Sequence, residues 1–308
     1  MQLKRVVVTG LGALTPLGNN LNTYWDNLIK GVSGAGPITK FDPELFKTKF
    51  ACEVKGYDPN DFFDRKEARK MDLFTQYAMI TADEAIVDSG LDLDSINKLK
   101  AGVIWGSGIG GLRTFQEEVA SFAQGDGTPR FNPFFIPKMI ADISAGMISI
   151  KYGFHGPNFV TVSACASATN AMIDAMTYIK LGKANVMITG GSEASVTEAG
   201  MGGFNAMKAL SERNDSPETA SQPFDENRNG FVMGEGAVTL ILENIYPYKT
   251  LDKLFVAVAG FNVPENRGYQ FCKTKKGELS VSFSTVGIVA SMALLLKCSP
   301  LFSVDNDK

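Results

Sequence analysis

Histidine and paired cysteines are scarce in this sequence. The 308 residues contain one histidine, His155, and four scattered cysteines, with no CxxC pair and no histidine beside a cysteine. This spacing argues against a zinc site or a disulfide framework and fits a reducing cytosol. The apolar run that follows Lys4 and Arg5 is also too short for the core of a signal peptide. The sequence therefore predicts a cytoplasmic protein without a bound metal.

A strong charge bias and a full-length membrane-spanning run are missing as well. The net charge is -3, and lysine and arginine are spread along the chain, so the sequence shows no nucleic-acid or anionic-membrane footprint. The apolar stretch 281–296 is shorter than the roughly 20 residues that a span needs and contains several hydroxyl side chains. A chain of this length can bury roughly three quarters of its unfolded surface. We therefore expect a large core and neither a membrane nor a nucleic-acid partner.

Apolar runs with strand character alternate with amphipathic helical segments along the first 243 residues. Strands are predicted at 6–9, 101–105, 159–162, 186–189 and 237–242. The clearest helices are predicted at 72–89, 138–152 and from just after Cys165 to 181. Strands that alternate with helices of this length indicate an α/β fold with a largely parallel sheet.

Two glycine-rich stretches each have two interpretations. Gly10 and Gly12 match part of a dinucleotide fingerprint, but Thr15 stands where the third glycine belongs, so we favour a tight strand-to-loop turn. The 106–111 stretch follows a predicted strand as a phosphate-binding loop does. It lacks the Lys-Ser/Thr of a P-loop, and close backbone packing is the preferred interpretation.

Cys165 lies where a predicted strand meets a predicted helix. The first N–H groups of a helix are unpaired and carry the positive end of its dipole. A thiol at that position is favoured as thiolate, which is the nucleophilic form. The alternative is a small buried apolar residue, which is what most free cysteines are.

Several strings place the Cys165 corner in a wider context. In their order and their residues these motifs resemble the beta-ketoacyl-acyl carrier protein synthases, and most closely the elongating type of type II fatty acid synthesis. The similarity covers about residues 1–243, so it is far more specific than a single motif. The strings lie at 5–12, 106–112, 151–193, 203–211, 223–225 and 230–236.

This resemblance implies a thiolase-like fold in which two similar α/β halves stack in layers. It implies that Cys165 takes an acyl chain from acyl carrier protein, and that Ile109, Phe135 and Phe204 line the acyl pocket. Two histidines and a lysine of the second half would then decarboxylate malonyl-acyl carrier protein for chain elongation. The family needs no cofactor, and the 131–140 segment would lie near a dimer interface. Ordinary core packing is the alternative for the three apolar residues.

The chain departs from this family in its second part. His155 matches a turn ahead of the active-site strand, roughly 20 Å or more from Cys165 along an extended segment, against the ~3 Å that proton transfer needs. Residues 244–308 form an unrecognised tail without the family's histidine motifs, for which a shifted reading frame is one hypothesis.

We therefore expect either a condensing acyltransferase of fatty acid biosynthesis with impaired condensation or a non-catalytic interaction protein. The second would act as a homodimer or as a dimer with an intact paralogue. A thiolase is a weaker alternative, since it shares the nucleophilic cysteine but not the quoted strings.

Overall fold

The computed structural model describes residues 3–244, 271–273 and 279–281. Its strands are β1 (Val6–Leu14), β2 (Gly36–Pro37), β3 (Phe50–Ala51), β4 (Ala101–Gly106), β5 (Asn158–Thr161), β6 (Val186–Glu193), β7 (Gly236–Asn244), β8 (Phe271–Lys273) and β9 (Leu279–Val281). Its α-helices are α1 (Leu21–Ile29), α2 (Arg65–Ala68), α3 (Leu73–Ser89), α4 (Leu112–Gln124), α5 (Phe135–Met139), α6 (Ile143–Tyr152), α7 (Ser167–Lys180) and α8 (Glu198–Ala206). The proposed domain boundary at 243 falls at the end of the first described range.

Within these ranges a five-stranded sheet has the order β1-β7-β6-β4-β5. The β4–β5 and β4–β6 pairs are parallel, whereas β7 is antiparallel to both of its neighbours. Strands β1, β4, β5 and β6 therefore run in one direction and β7 runs against them. The predicted α/β class with a mostly parallel sheet is confirmed. Two smaller antiparallel pairs join β2 to β3 and β8 to β9.

Helices cover both faces of the sheet. Strand β4 is buried along its whole length, and its side chains alternate between the two faces. Ile104 packs with apolar residues of α1 and α7, whereas Val103 and Trp105 pack with those of α3 and α6. The core thus consists of two apolar layers separated by the sheet, the arrangement expected when strands are apolar on both sides.

Strand β1 does not end at its glycines, so the predicted strand-to-loop turn is wrong. The strand continues to Leu14 and stays paired with β7. The glycines serve helix packing instead: a Cβ at Gly10 would lie 2.2 Å from the Ala85 carbonyl oxygen, and one at Gly12 would lie 2.0 Å from that of Thr81. Only a residue without a side chain lets α3 come this close to the strand.

The predicted helix at 72–89 matches α3, whereas the prediction at 138–152 does not match a single helix. The Asn20 side chain caps α1 by accepting from the Thr23 N–H, and Gly90 ends α3 with φ of 61°. The predicted helix at 138–152 is instead interrupted between α5 and α6, where Ile140 is extended. The Gly111 N–H donates to the Met139 carbonyl there, so a contact with the 106–111 loop replaces a helical bond.

Among the described residues, no helix combines the length and the apolar character that crossing a bilayer requires. Apart from Val281, the apolar stretch 281–296 lies outside the described ranges.

We expect Gly12→Ala to lower the free energy of unfolding by about 3 kcal/mol or more, because the new methyl group would overlap backbone atoms of α3. Gly146→Ala in α6 is the matched control. Its Cβ would meet nothing within 4 Å, and the change should stabilise the helix by about 0.5–1 kcal/mol. Urea unfolding followed by circular dichroism measures both, and equal stabilities would contradict this account of the β1–α3 contact.

Candidate active site

The structure places Cys165 between a strand and a helix, where the sequence predicts it. Strand β5 ends at Thr161, a single 3₁₀ turn spans Ala164–Ala166, and α7 begins at Ser167. The Cys165 side chain is exposed. It is therefore accessible to a reactant and is not the small buried residue of the alternative interpretation.

A strained backbone position precedes Cys165 and is held by hydrogen bonds. Ala164 has φ of 50°, a left-handed conformation that costs a residue with a side chain roughly 1–2 kcal/mol. The Ser167 hydroxyl donates to the Ala164 carbonyl (2.7 Å) and accepts from the Ser163 N–H (2.9 Å). The Thr161 hydroxyl donates to the Ser167 carbonyl, and the Asn170 amide donates to the Ser163 hydroxyl. Such over-determined strain is typical of functional sites.

The amino end of α7 gives this corner a positive electrostatic potential. The residue at its N-cap is Ala166, and no side chain caps the helix. The first N–H groups of a helix carry its positive dipole charge, which stabilises an adjacent anion. Negative charge that develops on a reactant beside Cys165 would gain this stabilisation.

The 106–111 loop brings three elements together by close backbone packing, as the preferred interpretation predicts. A Cβ at Gly106 would lie 2.4 Å from the Ala168 nitrogen in the first turn of α7. A Cβ at Gly111 would lie 2.3 Å from the Lys138 carbonyl oxygen in α5. The glycines therefore let both helices approach the carboxyl end of β4.

Glu193, the last residue of β6, occupies the hydrogen-bond donors of this loop. Its carboxylate accepts from the N–H groups of Gly108 (2.7 Å), Ile109 (3.1 Å) and Gly110 (3.2 Å). The residue is 8% exposed. Burial raises the pKa of the Glu193 carboxyl, while the three N–H donors act in the opposite direction. Since a protein carboxylate already accepts these bonds, the loop does not offer them to a phosphate.

The three predicted pocket residues lie in different surroundings. Ile109 is 44% exposed and sits in the loop beside the Cys165 corner, where Gly108 approaches the Ala164 carbonyl. Phe135 begins α5 and stacks on Phe131 and Phe115, with ring centroids 5.5 and 6.4 Å apart. Phe204 lies on α8 and meets Phe231 edge to face at 5.5 Å. Of the three residues, Ile109 follows Gly108, whose backbone approaches Ala164, the residue before Cys165.

His155 lies at the amino ends of β4 and β5, whereas Cys165 lies at their carboxyl ends. The backbone N–H of His155 donates to the carbonyl of Lys98, which precedes β4. Cys165 follows the carboxyl end of β5. The parallel β4–β5 pair separates the two positions by the length of the strands. In the described part of the chain, His, Cys, Asp and Glu side chains form no group that could hold a metal ion.

Sequence reasoning did not assign roles to Ser167 and Glu193. The Ser167 hydroxyl does not cap α7 but bonds back to Ser163 and Ala164, a role that serine at a helix start does not by itself indicate. The signal for Glu193 is an acidic residue at the end of an apolar strand, but its partners lie 83–85 positions away. Only the tertiary structure brings them together.

Residues 3–246 match the family described as beta-ketoacyl synthase, N-terminal domain. The match extends over most of the chain, and the chain belongs to this family. A relative with 48% identity over 245 residues is 3-oxoacyl-[acyl-carrier-protein] synthase 2 of Staphylococcus aureus (strain COL). That alignment covers 79% of this chain and 58% of the relative, so the chain spans about three fifths of the relative's length.

Solved ketosynthase structures share the fold. A beta-ketoacyl synthase from Burkholderia phymatum STM815 superposes with a TM-score of 0.70 at 31% identity, covering 79% of this chain and 59% of that one. A type II PKS acyl-carrier protein in complex with its ketosynthase, bound to the hexaketide, superposes with a TM-score of 0.62 at 25% identity, covering 78% and 62%. The fold expected from the resemblance, a thiolase-like ketosynthase amino-terminal half, is therefore confirmed.

We expect Ser167→Ala to lower the free energy of unfolding by about 0.5–1.5 kcal/mol, because the partly buried Ser163 N–H loses its acceptor. Iodoacetamide should also alkylate Cys165 about two- to fivefold more slowly, since the corner that presents the thiol beside the helix end loses two of its hydrogen bonds. Thr177→Ala removes an exposed hydroxyl from the same helix and should change neither quantity measurably. Equal effects of the two substitutions would contradict the role of Ser167.

Proposed function

We propose that this chain is a cytoplasmic acyl acceptor of the beta-ketoacyl-acyl carrier protein synthase type, with Cys165 as its nucleophile. The observation that carries the proposal is the exposed thiol on a strained corner beside an uncapped helix amino end. The exposed position leaves the sulfur accessible to a thioester, and the nearby helix end lies where negative charge would develop in the reaction.

The proposed reaction is transfer of an acyl group between two thiols. The Cys165 thiolate attacks the carbonyl carbon of an acyl thioester, and a new carbon–sulfur bond forms. The bond from that carbon to the donor sulfur then breaks, and the released thiolate takes a proton from solvent. The uncapped start of α7 stabilises the negative charge that passes through the site.

Acyl carrier protein is the proposed donor, and fatty acid biosynthesis is the proposed setting. The name of the Staphylococcus aureus relative includes this carrier, and one similar ketosynthase is described in complex with a carrier of its own system. The three proposed pocket residues, Ile109, Phe135 and Phe204, are apolar, as contact with an acyl chain requires. No cofactor enters a thioester exchange of this kind.

Condensation is proposed to be impaired in these 308 residues. By the family resemblance, condensation requires two histidines and a lysine near the cysteine. The sequence has one histidine, His155, and it lies at the opposite end of the strands from Cys165. General acid–base and oxyanion contributions of roughly 10²–10⁴-fold each would be lost without the missing groups.

Incubation with dodecanoyl-acyl carrier protein should yield an acyl adduct on Cys165, detected by intact mass and peptide mapping. Cys165→Ser should abolish the adduct. Cys52→Ser is the matched control and should leave it unchanged, because burial raises the pKa of the Cys52 thiol to about 11 and keeps that thiol protonated at neutral pH.

In the same assay, radiolabelled malonyl-acyl carrier protein should release no carbon dioxide above background. An adduct on another cysteine in place of Cys165 would overturn the assignment of the nucleophile. Near-normal carbon dioxide release by this chain alone would instead overturn the proposed impairment and leave the nucleophile standing.

A second candidate function is that of an interaction partner, and the edge strand β5 favours it. In the described sheet β5 pairs with β4 on one side only. Strand β5 contains no charged residue. Exposed edge strands normally carry charged residues or proline, which prevent pairing with another chain. A groove of about 540 Å³ runs beside it, lined by Ile140, Ala141, Asp142, Asn158, Phe159, Val160 and Val162. We propose that a second copy, or an intact paralogue, covers this edge.

Val162→Asp should weaken that association, because it places a charge on a 64% exposed side chain at the edge. Val87→Asp makes the same change at an exposed position of α3 and should leave association intact. Sedimentation velocity over a range of concentrations, alone and with a full-length synthase, measures both. A wild-type chain that stays monomeric in both settings, or equal effects of the two variants, would contradict the proposal.

A further inference from the structure

A buried carboxylate joins the glycine loop to the Cys165 corner, yet it takes no part in the acyl transfer described above. Glu193 ends β6 beneath the loop and accepts hydrogen bonds from Gly108, Ile109 and Gly110. An added Cβ at Gly108 would lie 3.1 Å from the Glu193 Oε2 and 3.4 Å from the Ala164 carbonyl oxygen. The loop backbone is therefore held between the carboxylate and the residue that precedes Cys165.

From this geometry we propose that Glu193 is a positioning residue that fixes Ile109 beside Cys165 and so decides which acyl chains the thiol accepts. The inference rests on the proposed acyl transfer and adds a determinant of substrate selectivity. Ile109 is the one side chain in the 108–110 segment, since its neighbours are glycines. Its direction is thus set by the backbone bonds that Glu193 holds.

The loop needs an external constraint because its own residues provide little. Gly110 has φ of 81°, and glycine has access to many more conformations than other residues. Three successive N–H groups that point at one carboxylate remove most of this freedom. Charge-assisted bonds of this kind are stronger than neutral ones, and buried donors left without an acceptor are costly. The carboxylate therefore selects one loop conformation among many.

The charge of Glu193 is required as well as its length. A glutamine at this position would have nearly the same shape but would offer one acceptor oxygen and one NH₂ donor. Oε2 accepts from two N–H groups and Oε1 from the third, so either orientation of an amide would face one or more N–H groups with its own donor. Glu193→Gln should therefore release part of the loop while it keeps the packing volume.

The test uses the full chain and two probes of Cys165, the butanoyl and dodecanoyl thioesters of N-acetylcysteamine. In the wild type we expect unequal acylation rates, and in Glu193→Gln we expect the ratio to move toward one by about tenfold, the size of a pocket contact. Alkylation of Cys165 by iodoacetamide should change by less than about twofold, because that small reagent does not contact the pocket. Ile109→Ala should shift the acylation ratio in the same direction without touching the carboxylate.

Hydrogen exchange at the backbone amides of 108–110 provides a readout that does not depend on activity. These amides should exchange at least about tenfold faster in Glu193→Gln, which corresponds to loss of a protecting hydrogen bond. Glu84→Gln is the matched control. Glu84 is also a carboxylate that accepts two backbone N–H groups, those of Ala13 and Leu21, but it lies on α3. It should alter neither the exchange of 108–110 nor the acylation ratio.

The outcomes separate the inference from the proposed function. If the wild type is not acylated at Cys165, the proposed function fails, and unchanged exchange at 108–110 in Glu193→Gln then overturns the positioning role too. If the wild type is acylated but shows no chain preference, or if the ratio is the same in Glu193→Gln, the inference fails alone. If Glu193→Gln does not fold, Ile109→Ala and the shorter Glu193→Asp decide it by the same ratio.

Discussion

The candidate site depends on one backbone contact, the approach of the first turn of α7 to the ends of β4 and β6. A Cβ at Gly106 would overlap the Ala168 nitrogen at 2.4 Å, and one at Gly191 would lie 2.5 Å from the Ala168 Cβ. Two glycines on neighbouring strands therefore face the start of one helix. Because no side chain separates them, the helix amino end lies directly against the sheet, and Cys165 is held at the point where they meet.

This contact explains why the corner tolerates strain. The left-handed Ala164 lies three residues before a helix whose first turn is packed directly against the sheet. Ser167 contributes the local hydrogen bonds, and Glu193 ties the neighbouring loop to the same place. A rigid scaffold therefore supports an exposed thiol, the arrangement that nucleophilic chemistry favours.

The described structure places the proposed acyl-accepting thiol on an exposed corner, and it brings no histidine to that corner within the described residues. The chain spans about three fifths of the length of the relative it matches, and its one histidine lies at the opposite end of the strands from the thiol. Acyl transfer to a thiolate needs little beyond the helix end, whereas decarboxylation and condensation need further charged or proton-donating groups. The first proposed function relies on the exposed thiol, whereas the second relies on the missing histidines and on the unpaired edge of β5.

The order of strands and helices and the position of Cys165 could be predicted because they depend on local patterns. An apolar run, a small-residue corner and an amphipathic helix follow one another within about one helix length of sequence, so their arrangement needs no distant partner. The motifs at 151–193 and elsewhere indicated the family because each is a continuous stretch of sequence. His155 was correctly placed far from the thiol because an extended segment joins the two.

Positions that depend on distant partners were decided by the tertiary structure alone. Gly10 and Gly12 suggest a turn in the sequence, yet they lie inside β1 because α3 packs against it there. The helix predicted at 138–152 is interrupted because Met139 bonds to the 106–111 loop. Glu193 holds the 108–110 loop only because the fold brings three amides more than 80 positions away onto its carboxylate. A sequence pattern records what each residue prefers among its neighbours, whereas close approach and buried hydrogen bonds depend on which remote backbone atoms the fold brings beside it.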